Sequence, residues 1–289
     1  MKKIIGIYNP PRQHWVGDGF PVHSLFSYGN KGELLSPFLL LDYAAPTRFE
    51  PTTHRRGVGE HPHRGFETVT IVYDGEVEHR DSSGGGGVIK EGDVQWMTAG
   101  GGILHQEFHS EDYAKRGGAF EMVQLWVNLP AKDKMTPARY QSITNDVIPV
   151  VSLPNEAGQV RVIAGEYEQQ QGAAKTFSPV NVWDIRLNAN KMLNLTVPEG
   201  YSFVIVVLRG DLKINGEQQA HDKQLVVLSQ QGQQVVIQAE RDSKLLVLSG
   251  QPLNEPIVGY GPFVMNTQAE INQAILDFNR GKFGSLAIH

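Results

Sequence analysis

Residues 61–81 read HPHRGFETVTIVYDGEVEHRD. The run from Thr68 to Tyr73 is β-branched or aromatic, and Asp74-Gly75 follows it, which is typical of a strand that ends in a tight turn. A second stretch, residues 196–216, reads TVPEGYSFVIVVLRGDLKING and matches strand, turn and strand when Gly210 is aligned with Gly75. This approximate repeat predicts that one β-domain has been duplicated.

The remainder of the chain favours the same class of fold. Other short β-branched or aromatic runs, such as Met122–Val127, are bounded by Gly, Asp or Pro, as in a sandwich or barrel of short antiparallel strands. A length of 289 residues with 40% hydrophobic and 20% charged residues suits two globular domains. The polar, Pro-bounded residues 130–137 predict a linker, so we expect domains at 1–135 and 136–289.

One helix is predicted near the carboxyl end. Thr267 and Glu270 have the spacing of a capping box, and Gly281 stands where a helix stop belongs. Apolar residues recur between them with helical periodicity, at Ile271, Ala274, Ile275 and Phe278. We expect this short helix to pack its apolar stripe on a sheet.

Composition excludes several classes of function. The net charge is −5 and there is no basic excess to neutralise a phosphate backbone, so we expect no direct contact with nucleic acid. The chain has no cysteine, which excludes disulfides, thiolate nucleophiles and thiolate-bound metals. The amino end lacks a secretory apolar region, and the longest dense apolar segment, 203–208, is too short for a membrane helix. These features predict a soluble cytoplasmic protein without a membrane partner.

Two short motifs point to a metal. In His61-Pro62-His63 and in His105-Gln106-Glu107 the two polar side chains are two residues apart, so on a strand they face the same side. If the two strands lie close together, three imidazoles and one carboxylate converge. This donor set suits divalent iron, manganese, nickel, copper or zinc, and four ligands leave positions open for a substrate and O2.

Several neighbouring residues allow two interpretations. Glu67 shares the face of His63 and is either a further ligand or, as we favour, a buried hydrogen-bonding carboxylate. His54, His79 and His109 are interpreted as surface or internally satisfied histidines. The glycines 100–102 form either the floor of the pocket or a simple turn, and Gln124 is a candidate polar group of the cavity. The second repeat has Thr196 and Pro198 where the first has His61 and His63, so we expect it to be metal-free.

These segments resemble one known family. The sequences HPHRGFETVT from His61, GDVQWMTAGGGILHQE from Gly92 and QLWVNLP from Gln124 are similar to those of pirins, which are two-domain members of the cupin superfamily. The later segments EPIV from Glu255, GPFVMNT from Gly261 and FNRGKFG from Phe278 resemble the pirin carboxyl-terminal signature. The resemblance implies a mainly β fold of two tandem cupin barrels (double-stranded β-helix or jelly-roll) with a short carboxyl-terminal helix.

The resemblance also implies a chemistry. His61, His63, His105 and Glu107 occupy the metal-ligand positions of pirins, whereas Glu67 occupies the usual cupin glutamate position and is not a ligand in the pirin pattern. The metal implied is Fe(II), with manganese, nickel, copper or zinc as alternatives. The activity implied is that of a quercetin 2,3-dioxygenase, in which a flavonol is cleaved by O2 with release of carbon monoxide. Glu107 is the candidate catalytic base for the flavonol 3-hydroxyl.

Two other functions remain open at this stage. The resemblance also covers non-enzymatic regulators, in which the oxidation state of the iron alters binding to a protein partner. The acidic charge and the lack of a basic run argue against a nuclear, DNA-contacting role of that kind. A third alternative is another metal-dependent cupin reaction on a different small molecule.

Overall fold

The computed structural model describes residues 1–286. In chain order, strands β1 to β13 are Ile4–Tyr8, His14–Val16, Phe20–Ser27, Phe38–Phe49, Gly57–His63, Phe66–Asp74, Val77–Asp81, Gly86–Ile89, Val94–Thr98, Ile103–His109, Gly118–Asn128, Arg139–Ile143 and Val150–Ser152. Strands β14 to β26 are Gly158–Ala164, Glu166–Tyr167, Gln170–Gln171, Val180–Leu187, Met192–Thr196, Ser202–Arg209, Asp211–Ile214, Gln218–His221, Leu225–Leu228, Gln234–Ala239, Ser243–Gly250, Val258–Tyr260 and Phe263–Met265. Helices α1 to α3 are Tyr28–Lys31, Glu111–Arg116 and Gln268–Asn279. The prediction of a mainly β chain is confirmed.

The chain forms two compact units. The early unit contains residues 12–32, 38–145 and the chain from 254 onwards. It has a seven-stranded sheet in the order β12-β9-β6-β11-β4-β3-β2 and a four-stranded sheet in the order β5-β10-β7-β8. Side chains from both sheets share one buried cluster, in which Phe20, Val72 and Phe120 of the larger sheet meet Val77 and Ile89 of the smaller. Burial of these apolar faces holds the two sheets together.

The late unit contains residues 1–11, 33–37 and 146–253. Its sheets again have seven and four strands, in the orders β1-β22-β19-β24-β17-β14-β13 and β18-β23-β20-β21. Phe203, Ile205 and Val247 from the larger sheet pack with Leu212 and Ile237 from the smaller, all without exposed surface. The strand-turn-strand segments aligned in the sequence, β6-β7 and β19-β20, each run from the larger sheet into the smaller one. This common arrangement agrees with the internal repeat.

The two units do not correspond to a single cut of the chain at residue 135, because each chain end belongs to the other unit. Strand β1 pairs with β22 and therefore belongs to the late unit. Helix α3 packs on Leu104, Phe263 and Phe283 and therefore belongs to the early unit. The segment 130–137 is also not a loose linker, because Lys134 is buried and donates three hydrogen bonds within the early unit.

Helix α3 matches its sequence pattern closely. Thr267 caps the first turn by accepting a hydrogen bond from the Glu270 backbone N–H at 3.1 Å. Ile271 and Ala274 are buried, whereas Phe278 at the end of the stripe remains 40% exposed. Gly281, with φ +71°, follows the helix in the left-handed conformation that suits glycine after a helix. Within residues 1–286, no helix combines the length and hydropathy needed to cross a bilayer.

Candidate metal centre

The three predicted histidines are brought together by the pairing of β5 with β10. These strands are antiparallel, and His105 lies directly opposite His61, while Ile103 lies opposite His63. The alternation of side chains on the strands then directs all three imidazoles to one side, as their spacing predicts. One ring nitrogen from each of His61, His63 and His105 lies within 4.8 Å of the other two.

A backbone contact selects one tautomer of His61, and the Nε2 atoms of His63 and His105 face each other. Nδ1 of His61 lies 2.7 Å from the Gly59 carbonyl oxygen, so it carries the proton and Nε2 carries the lone pair. Nε2 of His63 and Nε2 of His105 lie 3.0 Å apart. Two nitrogens bound to one ion at about 2.1 Å each and at a right angle would lie about 3.0 Å apart, so this spacing fits a shared cation.

Burial keeps the rings of His63 and His105 neutral. His63 and His105 are buried, with 5% and 0% of their surface exposed. Burial, with a smaller contribution from His61, lowers the pKa of His63 to about 3. Burial and the neighbouring histidines also hold the pKa of His105 well below its ordinary value. Neutral imidazoles are the form that donates to a metal, so the donor set fits a divalent first-row cation.

Glu107 lies two residues after His105 on β10, and the pairing of β10 with β7 is regular through both residues, so the two side chains face the same side. The pairing of β10 with β5 shifts register between them. Among the described residues, the carboxylate of Glu107 groups within 4.8 Å with His79 and His105 rather than with all three predicted histidines. Glu107 is buried and accepts a 3.4 Å hydrogen bond from Thr70, whose hydroxyl lies 2.8 Å from Oε1 of Gln124. Gln124 is thus a polar neighbour of the site.

Sequence reasoning missed His79 and Asp81. The interpretation of His79 as a satisfied histidine overlooked that it lies on β7, the other neighbour of β10, where Asp81 faces His105 and His79 faces Glu107. Nδ1 of His79 is 3.4 Å from Nδ1 of His105, and its Nε2 is 2.8 Å from Oδ2 of Asp81. The signal was available, because His79 and Asp81 repeat the two-residue spacing of the other two motifs.

The other candidate residues lie outside the histidine group. Glu67 is a buried carboxyl that accepts a 2.6 Å hydrogen bond from Thr98, in line with the interpretation we favoured. His54 is exposed and pairs with Asp18, and His109 is buried with Nε2 2.8 Å from the Gly19 carbonyl oxygen. Both are the surface or internally satisfied histidines that were expected.

The glycines 100–102 serve close backbone packing. A Cβ added to Gly100, whose φ is +52°, would lie 2.1 Å from the Thr136 carbonyl oxygen. The Gly101 carbonyl accepts a hydrogen bond from Nε of Arg64 at 2.7 Å. These contacts favour the structural interpretation of the glycine run.

One wall of the site is aromatic. The ring centroids of Phe66 and Trp126 lie 5.2 and 5.5 Å from that of His63, and the two aromatic rings lie 4.4 Å from each other. Trp126 reaches this position because it shares the face of Gln124 on β11. The aromatic wall gives the imidazoles an apolar border.

Two models of known families match separate parts of the chain. Residues 19–127 match the model of the pirin family, and residues 182–284 match the pirin C-terminal cupin domain. The chain belongs to the pirin family. The fold implied by the resemblance, a tandem cupin, is therefore confirmed.

Similar proteins cover nearly the whole chain. A Pseudomonas aeruginosa protein named "Putative quercetin 2,3-dioxygenase" is 58% identical over 98% of this chain and 99% of its own. The crystal structure of a quercetin 2,3-dioxygenase from Acinetobacter baumannii has a TM-score of 0.96 and 61% identity, covering 99% of both chains. A bacterial pirin from Escherichia coli, solved in complex with nickel(II), has a TM-score of 0.65 at 21% identity and covers 86% of this chain and 100% of its own. At that identity the similarity concerns the fold.

Proposed function

We propose that this pirin-family protein is a metal-dependent dioxygenase that cleaves a flavonol such as quercetin with O2 and releases carbon monoxide. The observation that carries the proposal is the convergence of His61, His63 and His105, with ring nitrogens within 4.8 Å of one another. The names of the similar Pseudomonas and Acinetobacter proteins support the substrate class.

His61, His63 and His105 would hold the cation, and Glu107 is the carboxylate that would join them. The cation most suited to the reaction is Fe(II), while the nitrogen and oxygen donors also suit manganese, nickel, copper or zinc. When bound, it would supply Lewis acidity, which stabilises the anion of a coordinated 3-hydroxyl, and electron exchange with O2. The described side chains then determine how the substrate is held and where its proton goes.

Glu107 is the candidate base for that proton. Its carboxylate lies beside His105, and Thr70 and Gln124 form a hydrogen-bonded pair next to it. A base must come within hydrogen-bonding reach of the proton that it removes, and Oε1 of Glu107 has only a 3.4 Å contact with the Thr70 hydroxyl, which leaves it able to accept that proton. Trp126 provides flat apolar surface next to His63, which suits an aromatic substrate, and the fully buried Phe66 packs against Trp126.

The test is an O2-uptake assay on anaerobically iron-loaded protein mixed with quercetin. We expect O2 consumption with release of carbon monoxide, and we expect His63→Ala to abolish both. His54→Ala is the matched control, because His54 is exposed and pairs with Asp18 outside the histidine group. Iron-loaded wild-type protein that neither consumes O2 nor releases carbon monoxide would overturn the proposal.

The metal is identified by a separate measurement. Elemental analysis of protein purified without added metal gives the occupant, and parallel loading with iron, manganese, nickel, copper or zinc ranks the activities. We expect iron to give the highest rate of O2 uptake. Equal rates with a redox-inert ion such as zinc would contradict the assignment of Fe(II).

A further inference from the structure

Two residues behind the histidine group form a hydrogen-bonded chain to His105. Asp81 and His79 lie on β7, directly across from His105 and Glu107 on β10. Oδ2 of Asp81 is 2.8 Å from Nε2 of His79, and Nδ1 of His79 is 3.4 Å from Nδ1 of His105. His79 and His105 have no exposed surface, so solvent does not compete for these hydrogen bonds.

The Asp81 carboxylate determines which nitrogen of His79 and which nitrogen of His105 carries the proton. Oδ2 of Asp81 is an acceptor, so Nε2 of His79 carries a proton and, in the neutral ring, Nδ1 of His79 is an acceptor. That acceptor faces Nδ1 of His105, which must then carry the proton. The lone pair of His105 is left on Nε2, the atom that lies 3.0 Å from Nε2 of His63.

The Asp81 carboxylate is itself fixed in orientation. Its other oxygen, Oδ1, accepts from the Ser83 backbone N–H at 2.8 Å and from the Gly85 backbone N–H at 3.0 Å. The ring of Tyr140 stacks on His79, with centroids 5.0 Å apart and planes 11° apart. The carboxylate and the ring therefore each have one preferred placement.

We propose that Asp81 and His79 are positioning residues that fix the tautomer of His105, so that its Nε2 lone pair is presented to the metal. This inference rests on the proposed metal site but not on the flavonol substrate. Residues that hydrogen-bond to a metal-binding imidazole typically change metal affinity by about 10–100-fold when they are removed.

Asp81→Asn tests this proposal, because the fixed orientation of the side chain at position 81 decides whether its oxygen or its NH2 group faces His79. The two backbone donors require the amide oxygen to take the place of Oδ1, so the NH2 group faces Nε2 of His79. His79 then carries its proton on Nδ1 and donates towards His105. His105 is forced into the opposite tautomer, with its proton on Nε2.

Two measurements at pH 8 report the effect. In metal-free wild-type protein, nitrogen-15 NMR should show His105 protonated on Nδ1, and in Asp81→Asn it should show protonation on Nε2. Competition titration with Zn²⁺ alone should give a dissociation constant about 10–100-fold higher for Asp81→Asn. Ser83→Ala is the matched control, because the Ser83 hydroxyl contacts only the Oδ1 side of Asp81, and its affinity for Zn²⁺ should be unchanged.

His79→Phe provides a second variant in case Asp81→Asn does not fold. Phenylalanine can keep the stacking on Tyr140 but offers no acceptor to His105, so weaker Zn²⁺ binding is again expected. An unchanged His105 tautomer in Asp81→Asn, or wild-type Zn²⁺ affinity in either variant, would overturn the inference. Neither measurement uses quercetin or O2, so failure of the dioxygenase proposal would leave these results unaffected.

Discussion

Arg64 donates a hydrogen bond from Nη1 to Oδ2 of Asp277 at 2.8 Å, across a sequence separation of 213 residues. Arg64 directly follows His63 at the end of β5, and Asp277 lies on α3, so the pair joins the end of β5 to the carboxyl-terminal helix. Both side chains are largely buried. The Arg64 guanidinium holds the pKa of Asp277 below its ordinary value.

Asp277→Asn should therefore destabilise the protein, because it leaves the Arg64 guanidinium buried without its counter-charge. We expect the melting temperature to fall by several degrees, measured by calorimetry at pH 7. Lys115→Ala is the control, since it removes an ion pair with Glu111 that is fully exposed to solvent. Exposed pairs contribute little, so its melting temperature should stay within about 1 °C of wild type. Equal effects of the two substitutions would contradict this account.

Lys134 stabilises the region next to Arg64 through three hydrogen bonds. Its Nζ donates to the carbonyl oxygens of Gly65 and Val264 at 2.7 and 2.8 Å and to Oδ1 of Asn128 at 2.6 Å. Lys134→Met should lower the free energy of unfolding by about 1–3 kcal/mol, because buried acceptors lose their donor. Urea denaturation measures the change as a lower midpoint with an unchanged slope. Lys132→Met makes the same substitution at an exposed position two residues away, and a midpoint as low as that of Lys134→Met would refute the explanation.

Glu67 gives the protein a pH-dependent loss of stability. Burial raises the pKa of Glu67 to about 7, although the hydrogen bond from Thr98 opposes the shift. The folded state keeps the proton up to about pH 7, whereas the unfolded chain releases it near the ordinary glutamate pKa of 4.5. Between these values the folded state binds more protons, so the contribution of Glu67 to stability is greatest at acid pH and declines as pH rises.

Glu67→Gln should remove that decline. The variant should match wild type near pH 5 and exceed it at pH 8 by up to roughly 3 kcal/mol, as measured by denaturation across this range. Glu91→Gln, at an exposed position, should leave the pH profile unchanged. A parallel decline in wild type and Glu67→Gln would show that another group is responsible.

Trp126 is expected to protect the metal rather than bind it. Its ring packs against His63 and Phe66. Trp126→Ala should open the aromatic wall and increase the rate at which Zn²⁺ is lost to a chelator by roughly tenfold. Trp126→Phe keeps an aromatic ring and should retain most of the protection. Identical rates of loss for wild type and Trp126→Ala would contradict the proposed role.

The sequence predicted much of this site because a strand alternates its side chains with a period of two. That rule placed His61 and His63 on one face, while the arrival of His105 depended on the pairing of β10 with β5, which the sequence left as a condition. The capping pattern of Thr267 was sufficient for α3. The rule does not say which strands become neighbours, so it could not place β7 beside β10 or bring His79 to His105. It also does not say which imidazoles lie nearest to Glu107, whose carboxylate groups with His79 and His105.

The exchange of chain ends between the two units limits how the polypeptide can be divided. A fragment ending at residue 135 would retain β1 without its partner β22 and would lack α3, while the complementary fragment would lack β1. Each half would thus expose an apolar surface that its own residues cannot cover. Bisection of the polypeptide should therefore yield aggregates rather than two autonomous pieces.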